Sequence, residues 1–431
     1  MEPLKVWMRL RPGLKWAWRG LLGAIAALAV LWIGALVIGS CRLNSEIDKI
    51  RNEPGYPKER PSDWPQVASG EGAAPYFSAA ALMVEFPKEW GDIDVNSILE
   101  GKWSELSELK RKAVRGWVDR NERAFDLART GADQPTCRFF RSWPLNQDYK
   151  FLPEQGWLYW LMWLTECRAW VNSGEGRSGE SMEAIRVTFA LADAYRNETS
   201  LKGQEDRLTR TWTALLGFST LVPDTATEAE LEELQKMVPS PDHFSAGLDR
   251  ALEWERYELA ELLADPVAHF WAAWGEYVPS HRKYEKSLQR RLADPLVKLD
   301  GVRALEDLRR IRDVLRRPYS EARATAEQLD AEQRSRSDAW NPVRTYFQPW
   351  TLYLLELLHV TRSSCVLART GLEWEKIKLR TGTYPSTCEV VDPLTGRPFI
   401  LEQNPPRLIS KGGTGLKFPQ FREERSWFLR P

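Results

Sequence analysis

The sequence predicts a mainly α-helical protein with one membrane-spanning helix near its N-terminus and a small β-meander near its C-terminus. Three observations support this fold class. An uncharged apolar segment covers residues 20–40, apolar side chains recur at three- and four-residue steps through most of the chain, and short apolar segments separated by turn residues follow residue 385. The body is expected to be a helical bundle or an irregular α-solenoid, because no repeat of fixed length is present.

The composition is that of a folded chain without overall charge. Of the 431 residues, 43% are hydrophobic and 28% are charged, and 60 Lys and Arg balance 60 Asp and Glu. A chain of this length can bury one large core or several smaller ones. Because the formal net charge is zero, no general field attracts nucleic acid, and nucleic acid is not an expected partner.

The first element is a transmembrane helix predicted at residues 20–40. At about 1.5 Å per residue, this segment matches the roughly 30 Å hydrocarbon layer of a bilayer. The cytoplasmic segment predicted at residues 1–19 carries five basic residues against the single acid Glu2. This asymmetry predicts a cytoplasmic N-terminus and a periplasmic body, with membrane lipid contacting residues 20–40. The expected location is therefore a bacterial inner membrane, crossed once.

A cleaved lipoprotein signal is an alternative for the same segment. The residues from Val37 to Cys41 resemble a lipobox, in which a cysteine is lipidated after the preceding segment is removed. The apolar stretch is longer than an ordinary signal-peptide core, and Ile38 stands where leucine is favoured. An uncleaved anchor is the prediction, and lipidation of Cys41 or a buried core helix are the alternatives.

The remaining chain divides into three predicted segments. Residues 41–75, rich in Pro, Gly and charge, are expected to form a juxtamembrane stalk. Residues 76–347 form the helical body, with a clear helix from Ser104 to Thr130 and a capping box at Thr227–Glu230. Residues 348–431 are expected to form a long helix that ends before Gly382, followed by the β-meander. A tight turn from Asp392 to Gly396 is predicted to join its first two strands, formed by the apolar residues on either side of the turn.

Several segments resemble known groups of proteins. Gly72–Tyr76, Asn121–Phe125 and Asp392–Pro398 are similar to segments of uncharacterised membrane-anchored exported proteins of planctomycetes, verrucomicrobia and related bacteria. This resemblance implies a helical exported domain and no mechanism. Roughly the last 80 residues also resemble the tails of major pseudopilins. The acidic residue of the pseudopilin N-terminal segment and its calcium-binding carboxylates are missing, so this second resemblance implies a local shape only.

No pattern of catalytic residues is complete. Glu356 and His359 have the Glu-x-x-His spacing of di-iron helices, but the second such pair that a di-iron site requires is missing. The zinc-protease and α/β-hydrolase signatures are also absent. Catalytic residues are therefore unknown, neither a metal nor a cofactor is expected, and the protein is not expected to be an enzyme of familiar type.

Three further features have both a structural and a functional interpretation. The aromatic segment 269–277 is expected in the core, although it could stack a glycan or a peptide. The basic segment 282–291 is expected in solvent, although it could contact anionic lipid. Cys365 and Cys388 are the preferred disulfide, because the chain reverses at Tyr384–Pro385 between them, and free thiols are the alternative.

Two functional classes follow from these observations. The first is a tethered binding or scaffold protein that meets an unidentified envelope protein or glycan. The alternative is an enzyme that acts on envelope polymers with dispersed carboxylates. Assembly into pilus-like filaments is a more distant third hypothesis.

Overall fold

The structure is a computed structural model that describes residues 3–54, 56, 72–86, 103, 106–139, 154–198, 200–264, 287–334, 343, 350–403, 406–412, 416–421 and 425–429. This part of the chain is mainly helical, with a small antiparallel sheet near the C-terminus, so the predicted fold class is confirmed. The helices are α1 (Pro3–Arg51), α2 (Ala73–Met83), α3 (Glu108–Arg120), α4 (Glu122–Ala132), α5 (Glu154–Gly174), α6 (Ser178–Ala192), α7 (Leu201–Leu216), α8 (Phe218–Leu221), α9 (Glu228–Met237), α10 (Asp242–Ala264), α11 (Ser287–Leu315), α12 (Tyr319–Arg334) and α13 (Thr351–Thr381). The strands are β1 (Ile400–Gln403), β2 (Pro406–Ser410) and β3 (Arg425–Phe428).

The chain forms two compact units. The first comprises Met1–Tyr56, Arg256–Leu308 and Gln333–Gln348. The second comprises Pro57–Glu255, Arg309–Glu332 and Pro349–Pro431. These divisions differ from the predicted boundary between a helical body and a separate C-terminal segment, because α13 packs against α7 and α9 inside the second unit.

In the first unit, α1 changes from an exposed helix to a packed one. Its most apolar 18-residue window has a mean hydropathy of 2.7, and none of that window is buried. Beyond it, Leu43, Ile47 and Ile50 are buried, and a Cβ added to Gly39 would lie 3.3 Å from the Lys298 Cβ of α11. Gly39 therefore permits a close approach between the two helices.

The predicted stalk begins as helix rather than as irregular chain. Apolar side chains at residues 43, 47 and 50 give this part of α1 a buried face, so the helix continues to Arg51. Of the remaining predicted stalk, residues 55 and 57–71 lie outside the described part of the chain.

Polar contacts fix the end of α1 within the first unit. Arg51 donates to both oxygens of the Glu261 carboxylate, at 2.9 and 3.1 Å, and the Tyr56 hydroxyl donates to the same carboxylate. Burial, followed by the nearby Glu261, raises the pKa of Tyr56 to about 12. Arg256 forms an ion pair with Glu53 at 2.7 Å. The chain therefore leaves α1 in a defined direction.

The second unit contains a helical core in which α5 and α6 pack against each other. Their buried Thr165 and Thr188 hydroxyls lie 2.7 Å apart. The predicted capping box is confirmed, since Thr227 and Glu230 exchange hydrogen bonds at the start of α9.

The single helix predicted from Ser104 to Thr130 is instead two helices, which meet at Asn121. The Asn121 amide donates to the backbone carbonyls of Trp117 and Glu85, and such side-chain bonds to the backbone compete with helix continuation.

At the C-terminus, α13 ends at Gly382, whose φ of 80° confirms the predicted left-handed cap. The predicted β-meander is also confirmed, with antiparallel strands in the order β1-β2-β3. The expected strand before the Asp392 turn is wrong, because Val391 forms only an isolated bridge with Pro398. The first hairpin joins β1 to β2 instead, and Ile400 pairs with Ile409.

Candidate functional site

The Glu-x-x-His pair of α13 lies in the interior of the second unit. Glu356 is fully buried and accepts hydrogen bonds from the backbone amides of Lys417 and Phe418, at 2.8 and 3.1 Å. The Tyr319 hydroxyl lies 3.4 Å from the same carboxylate. Glu356 therefore holds the C-terminal chain segment against α13, since a buried carboxylate is stabilised by such donors.

His359 is buried one turn further along α13. Burial, reinforced by the nearby Arg362, lowers the pKa of His359 to about 4, so the imidazole is neutral at pH 7. Backbone groups of Arg317 and Pro393 lie near the ring and partly oppose this shift, although neither ring nitrogen makes a hydrogen bond of good geometry within the described residues. The same part of the chain contains no group of three His, Cys, Asp or Glu side chains that could hold a metal ion.

A polar network beside His359 joins α13 to the sheet. The Ser410 hydroxyl donates to Asp392 Oδ2 at 2.7 Å, and Arg425 Nη2 donates to Ser410 Oγ at 3.0 Å. Ser363 of α13 lies 3.3 Å from the same hydroxyl. Burial lowers the pKa of Arg425 to about 10, against the opposing effect of Asp392. Because all these side chains are buried, the network fixes the sheet and offers no open reaction site.

A second set of unusual side chains lies on one face of α5. We call Tyr159, Trp163, Glu166 and Trp170 the aromatic stripe, because their spacing of three and four residues places them on the same side of a helix. The Tyr159 and Trp163 rings are half-buried and lie 4.7 Å apart. Trp170 is buried, with its ring 5.0 Å from that of Trp103. The stripe therefore runs from the surface into the core.

Glu166 is the carboxyl group of this stripe and is 3% exposed. Burial alone raises its pKa to about 8, so the group is mostly protonated at pH 7. Glu166 Oε1 and the indole nitrogens of Trp163 and Trp170 are buried without hydrogen-bond partners in the described part of the chain. Buried polar atoms nearly always have partners, so three such atoms on one helix face are unusual.

Exposed apolar side chains surround the outer end of the stripe. Phe86 contacts Trp160 with ring centroids 4.9 Å apart, and Trp160 contacts Trp163 at 5.1 Å. Phe86 and Trp157 are both exposed, and their ring centroids lie 6.3 Å apart. These ring contacts connect the surface with the aromatic stripe.

The cysteines differ from the sequence prediction. Cys365 and Cys388 are free thiols, so the predicted disulfide is not formed. Cys365 precedes the end of α13 by about 24 Å along the helix axis, which the short segment to Cys388 could cover only if it were fully extended. Cys41 is exposed on α1 in an open groove with Asn44 and Ser45, and its lipidation stays an untested alternative to the uncleaved anchor.

Sequence reasoning missed the aromatic stripe, because the apolar run just before Glu166 is typical of a helix that is buried on all sides. The signal that could have found it is a carboxyl residue with Trp three positions before and four positions after it. The aromatic segment 269–277 lies outside the described residues, as do residues 282–286 of the basic segment 282–291. For residues 287–291 only the backbone is described.

No family model, no curated protein and no solved structure matches this chain. The functional argument therefore depends on the fold and on the side chains described above.

Proposed function

We propose that this protein is a membrane-tethered binding or scaffold protein of a bacterial cell envelope, with its body on the extracytoplasmic side. The observation that carries this proposal is the exposed apolar part of α1, of which no residue in the most apolar window is buried. Apolar surface of this extent is unfavourable in water, and a bilayer would cover it. The apolar segment 20–40 within α1 has the length that a crossing of the hydrocarbon layer needs.

The direction of the crossing follows from the flanking charge. Five basic residues precede the apolar segment, whereas acids and bases are mixed after it. Basic flanks favour the cytoplasmic side, so the body is assigned to the other side. Because α1 continues directly into packed structure, the first unit stays close to the membrane surface.

Binding is favoured over catalysis by the surroundings of Glu166. Burial is the only influence that shifts its pKa, so no second charged group acts on it within the described residues. Hydrolysis of glycosides ordinarily needs a pair of carboxyl groups at a defined separation. A single uncharged carboxyl group suits hydrogen bonding to a ligand.

Protease accessibility tests the proposed topology. The full chain, with a tag after Pro431, would be expressed in a Gram-negative bacterium, and intact spheroplasts would be treated with protease. We expect loss of the tag, because the body is proposed to lie outside the inner membrane. As a control, replacing the basic residues of segment 1–19 by Gln should protect a fraction of the tag. A tag that is protected in wild-type spheroplasts, or protein found in the cytosol, would contradict the proposal.

Turnover assays separate binding from the alternative class, an enzyme acting on envelope polymers. Purified full-length protein would be incubated with peptidoglycan and with envelope polysaccharides, and release of soluble fragments would be measured. We expect no release above that of a heat-treated sample. Release that is abolished in a folded Glu166→Gln variant would favour the enzyme over the binding protein.

A further inference from the structure

We infer that two copies of this chain pair side by side in the membrane through one face of α1. We call it the small-residue face, and its members are Gly20, Gly23, Ala27, Gly34, Cys41 and Ser45. The inference deepens the proposed function and rests on it, because two copies meet in parallel only if both cross the bilayer in the same direction. The partner that it names is a second copy of the same chain.

The spacing of the small-residue face places its members along one line of the helix. Gly20, Ala27, Gly34 and Cys41 recur every seven residues, which is close to two helical turns. The other two members lie three or four residues from these, on the same side. A repeat of seven residues keeps a contact line facing a partner when two parallel helices wind around each other.

The small-residue face is open in the described part of the chain. A Cβ added to any of its three glycines would meet no atom of another element within 4 Å, whereas one added to Gly39 would lie 3.3 Å from a side chain of α11. Cys41 is exposed and lies about 160° around the helix from the buried Leu43. A second helix can therefore reach the small-residue face without displacing α11.

Small residues favour helix pairing in a bilayer because the lipid tails are as apolar as the helix itself. Helices associate there largely through close packing, which residues without bulky side chains allow. Residues 20–40 contain no charged side chain, so two copies of this segment approach each other without electrostatic repulsion.

The polar end of the same face identifies the partner as a second copy. Cys41, Ser45, Asp48 and Lys49 help to line an open groove on the surface of α1. Asp48 and Lys49 flank the small-residue face on opposite sides, because adjacent residues are about 100° apart around a helix. In two parallel helices related by a two-fold axis, opposite flanks meet. Asp48 of each copy therefore faces Lys49 of the other, and the charges are complementary.

Lys49 is available for this contact at little cost. It pairs with Glu46 of the same chain, and the Lys49 side chain is 64% exposed. Because an exposed ion pair contributes little to stability, Lys49 can turn to Asp48 of the second copy with a small net change in free energy. The charges select the parallel partner, while the small residues supply the close contact.

Disulfide cross-linking in membranes tests the pairing. The full chain would be expressed at a low level, and membranes would be treated with copper phenanthroline, which oxidises neighbouring thiols to a disulfide. We expect a linked dimer in the Cys41→Ser background when Ser45→Cys is added, and none in Cys41→Ser alone. Arg42→Cys and Asn44→Cys, on either side of the face, should cross-link at least about fivefold more slowly, because a disulfide needs Cα atoms within about 7 Å.

The native Cys41 provides a second readout. As a free thiol on the small-residue face, it should link two wild-type chains under the same oxidant, and Cys41→Ser should abolish that link. A lipidated Cys41 would give no link in wild type, and mass spectrometry would detect the lipid. The result for Ser45→Cys then decides, because its background lacks that cysteine.

A matched pair of size changes tests the contact within the apolar segment. Ala27→Leu enlarges the small-residue face, and Ala29→Leu makes the same change about 160° away around α1. Both alanines are exposed. We expect Ala27→Leu to slow cross-linking through residue 45 by about fivefold, because it prevents close approach, and Ala29→Leu to leave the rate unchanged.

Charge reversal tests the assigned partner. Asp48→Lys makes both flanks basic and Lys49→Asp makes both acidic, so each variant alone should cross-link through residue 45 more slowly than its parent. The two variants would then be expressed together with different tags. We expect the mixed dimer to exceed the sum of the two homodimers by about threefold or more, because only the mixed pair brings opposite charges together.

Three results would overturn the inference. These are absent or equal cross-linking at residues 42, 44 and 45, equal effects of Ala27→Leu and Ala29→Leu, and a mixed dimer that only equals the sum of the homodimers. The first result would show that lipid alone covers the face. The topology experiment is separate, so a periplasmic body without site-specific cross-linking would refute this inference alone. A cytosolic protein with site-specific cross-linking would refute the proposed location and keep the pairing of α1.

Discussion

Glu166 and His359 are both buried in the second unit, and burial shifts the pKa of each in the direction that keeps it uncharged. The pKa of Glu166 rises to about 8, and that of His359 falls to about 4. The physical cause is the same, because transfer out of water penalises a charge of either sign. The two side chains therefore make opposite contributions to the pH dependence of stability.

His359 should make the protein more sensitive to acid. Its folded pKa of about 4 lies below the unfolded value of about 6.5, so the unfolded chain takes up the proton first as the pH falls. The contribution of neutral His359 to the free energy of unfolding is fully present above about pH 6.5 and is lost as the pH falls toward 4. At pH 5 the free energy of unfolding should be lower by about 2 kcal/mol for this reason. Urea unfolding at pH 7 and pH 5 should show a smaller difference for His359→Gln than for wild type. An equal difference in both proteins would contradict the assigned pKa.

Glu166 should make the protein more sensitive to alkali. Its folded pKa of about 8 exceeds the unfolded value of about 4.3. The contribution of protonated Glu166 to the free energy of unfolding is therefore fully present below the unfolded pKa and is lost as the pH rises through the folded pKa. Between pH 7 and pH 9 the loss should be on the order of 1 kcal/mol. Glu166→Gln cannot ionise and should lack this loss in urea unfolding. The exposed carboxyl variant Glu180→Gln serves as the control and should behave as wild type.

Side-chain chemistry could be predicted from sequence only where it depends on near neighbours. The three-residue spacing of Glu356 and His359 correctly indicated that both lie on one helix, about one turn apart. The partners of Glu356 are amides more than 60 positions away along the chain, so its role depended on the tertiary fold. Asp392, Ser410 and Arg425 form a network for the same reason, and no local motif in the sequence indicates it.

At the level of elements, the sheet is held to α13 by a close approach at Gly371. A Cβ added to this glycine would lie 2.4 Å from ring atoms of Trp427 in β3, closer than atoms can normally approach. Trp427 is itself buried. The missing side chain therefore determines how closely the strand packs on the helix.

Gly371→Ala should destabilise the protein by roughly 1–3 kcal/mol, because the new methyl group forces Trp427 or the strand to move. Thermal or urea unfolding would measure the change. Gly116→Ala in α3 is the matched control, since its Cβ would meet only the end of the Arg120 side chain at 3.6 Å. That control should be neutral or slightly stabilising, as alanine favours helix. An equal change in the free energy of unfolding for both variants would contradict the close packing of Trp427 on α13.

The boundaries of helices and strands could be predicted from sequence where they depend on neighbouring residues. The prediction failed where they depend on distant ones. Thr227 and Gly382 mark helix ends through their own hydrogen bonds and dihedral angles, and both were predicted. Asn121 interrupts a helix through a bond to the distant Glu85, which apolar spacing cannot indicate. The first hairpin was misplaced because two adjacent apolar segments could each supply the partner strand, and pairing depends on the whole sheet.

At the level of the whole molecule, the proposed location depends on the exposed apolar part of α1. Leu28→Arg would place a charge in the middle of the exposed apolar segment, where insertion scales give a cost of about 2.5–3.5 kcal/mol. We expect a larger fraction of this variant in the carbonate-soluble extract of membranes. Leu109→Arg makes the same change at an exposed site in α3 and should stay with the membrane fraction. Equal extraction of both variants would argue against the anchor.

The continuity of α1 has a consequence for the proposed membrane anchor. Gly39 and the buried residues Leu43 and Ile47 share one unbroken helix with the apolar segment. One alanine inserted after Ile38 would turn the apolar segment by about 100° relative to those residues, while seven would nearly restore the original angle. With the proposed anchor in a bilayer, the rotation of the first unit about the membrane normal is therefore fixed by α1, and only neighbours on one side of the helix can contact that unit.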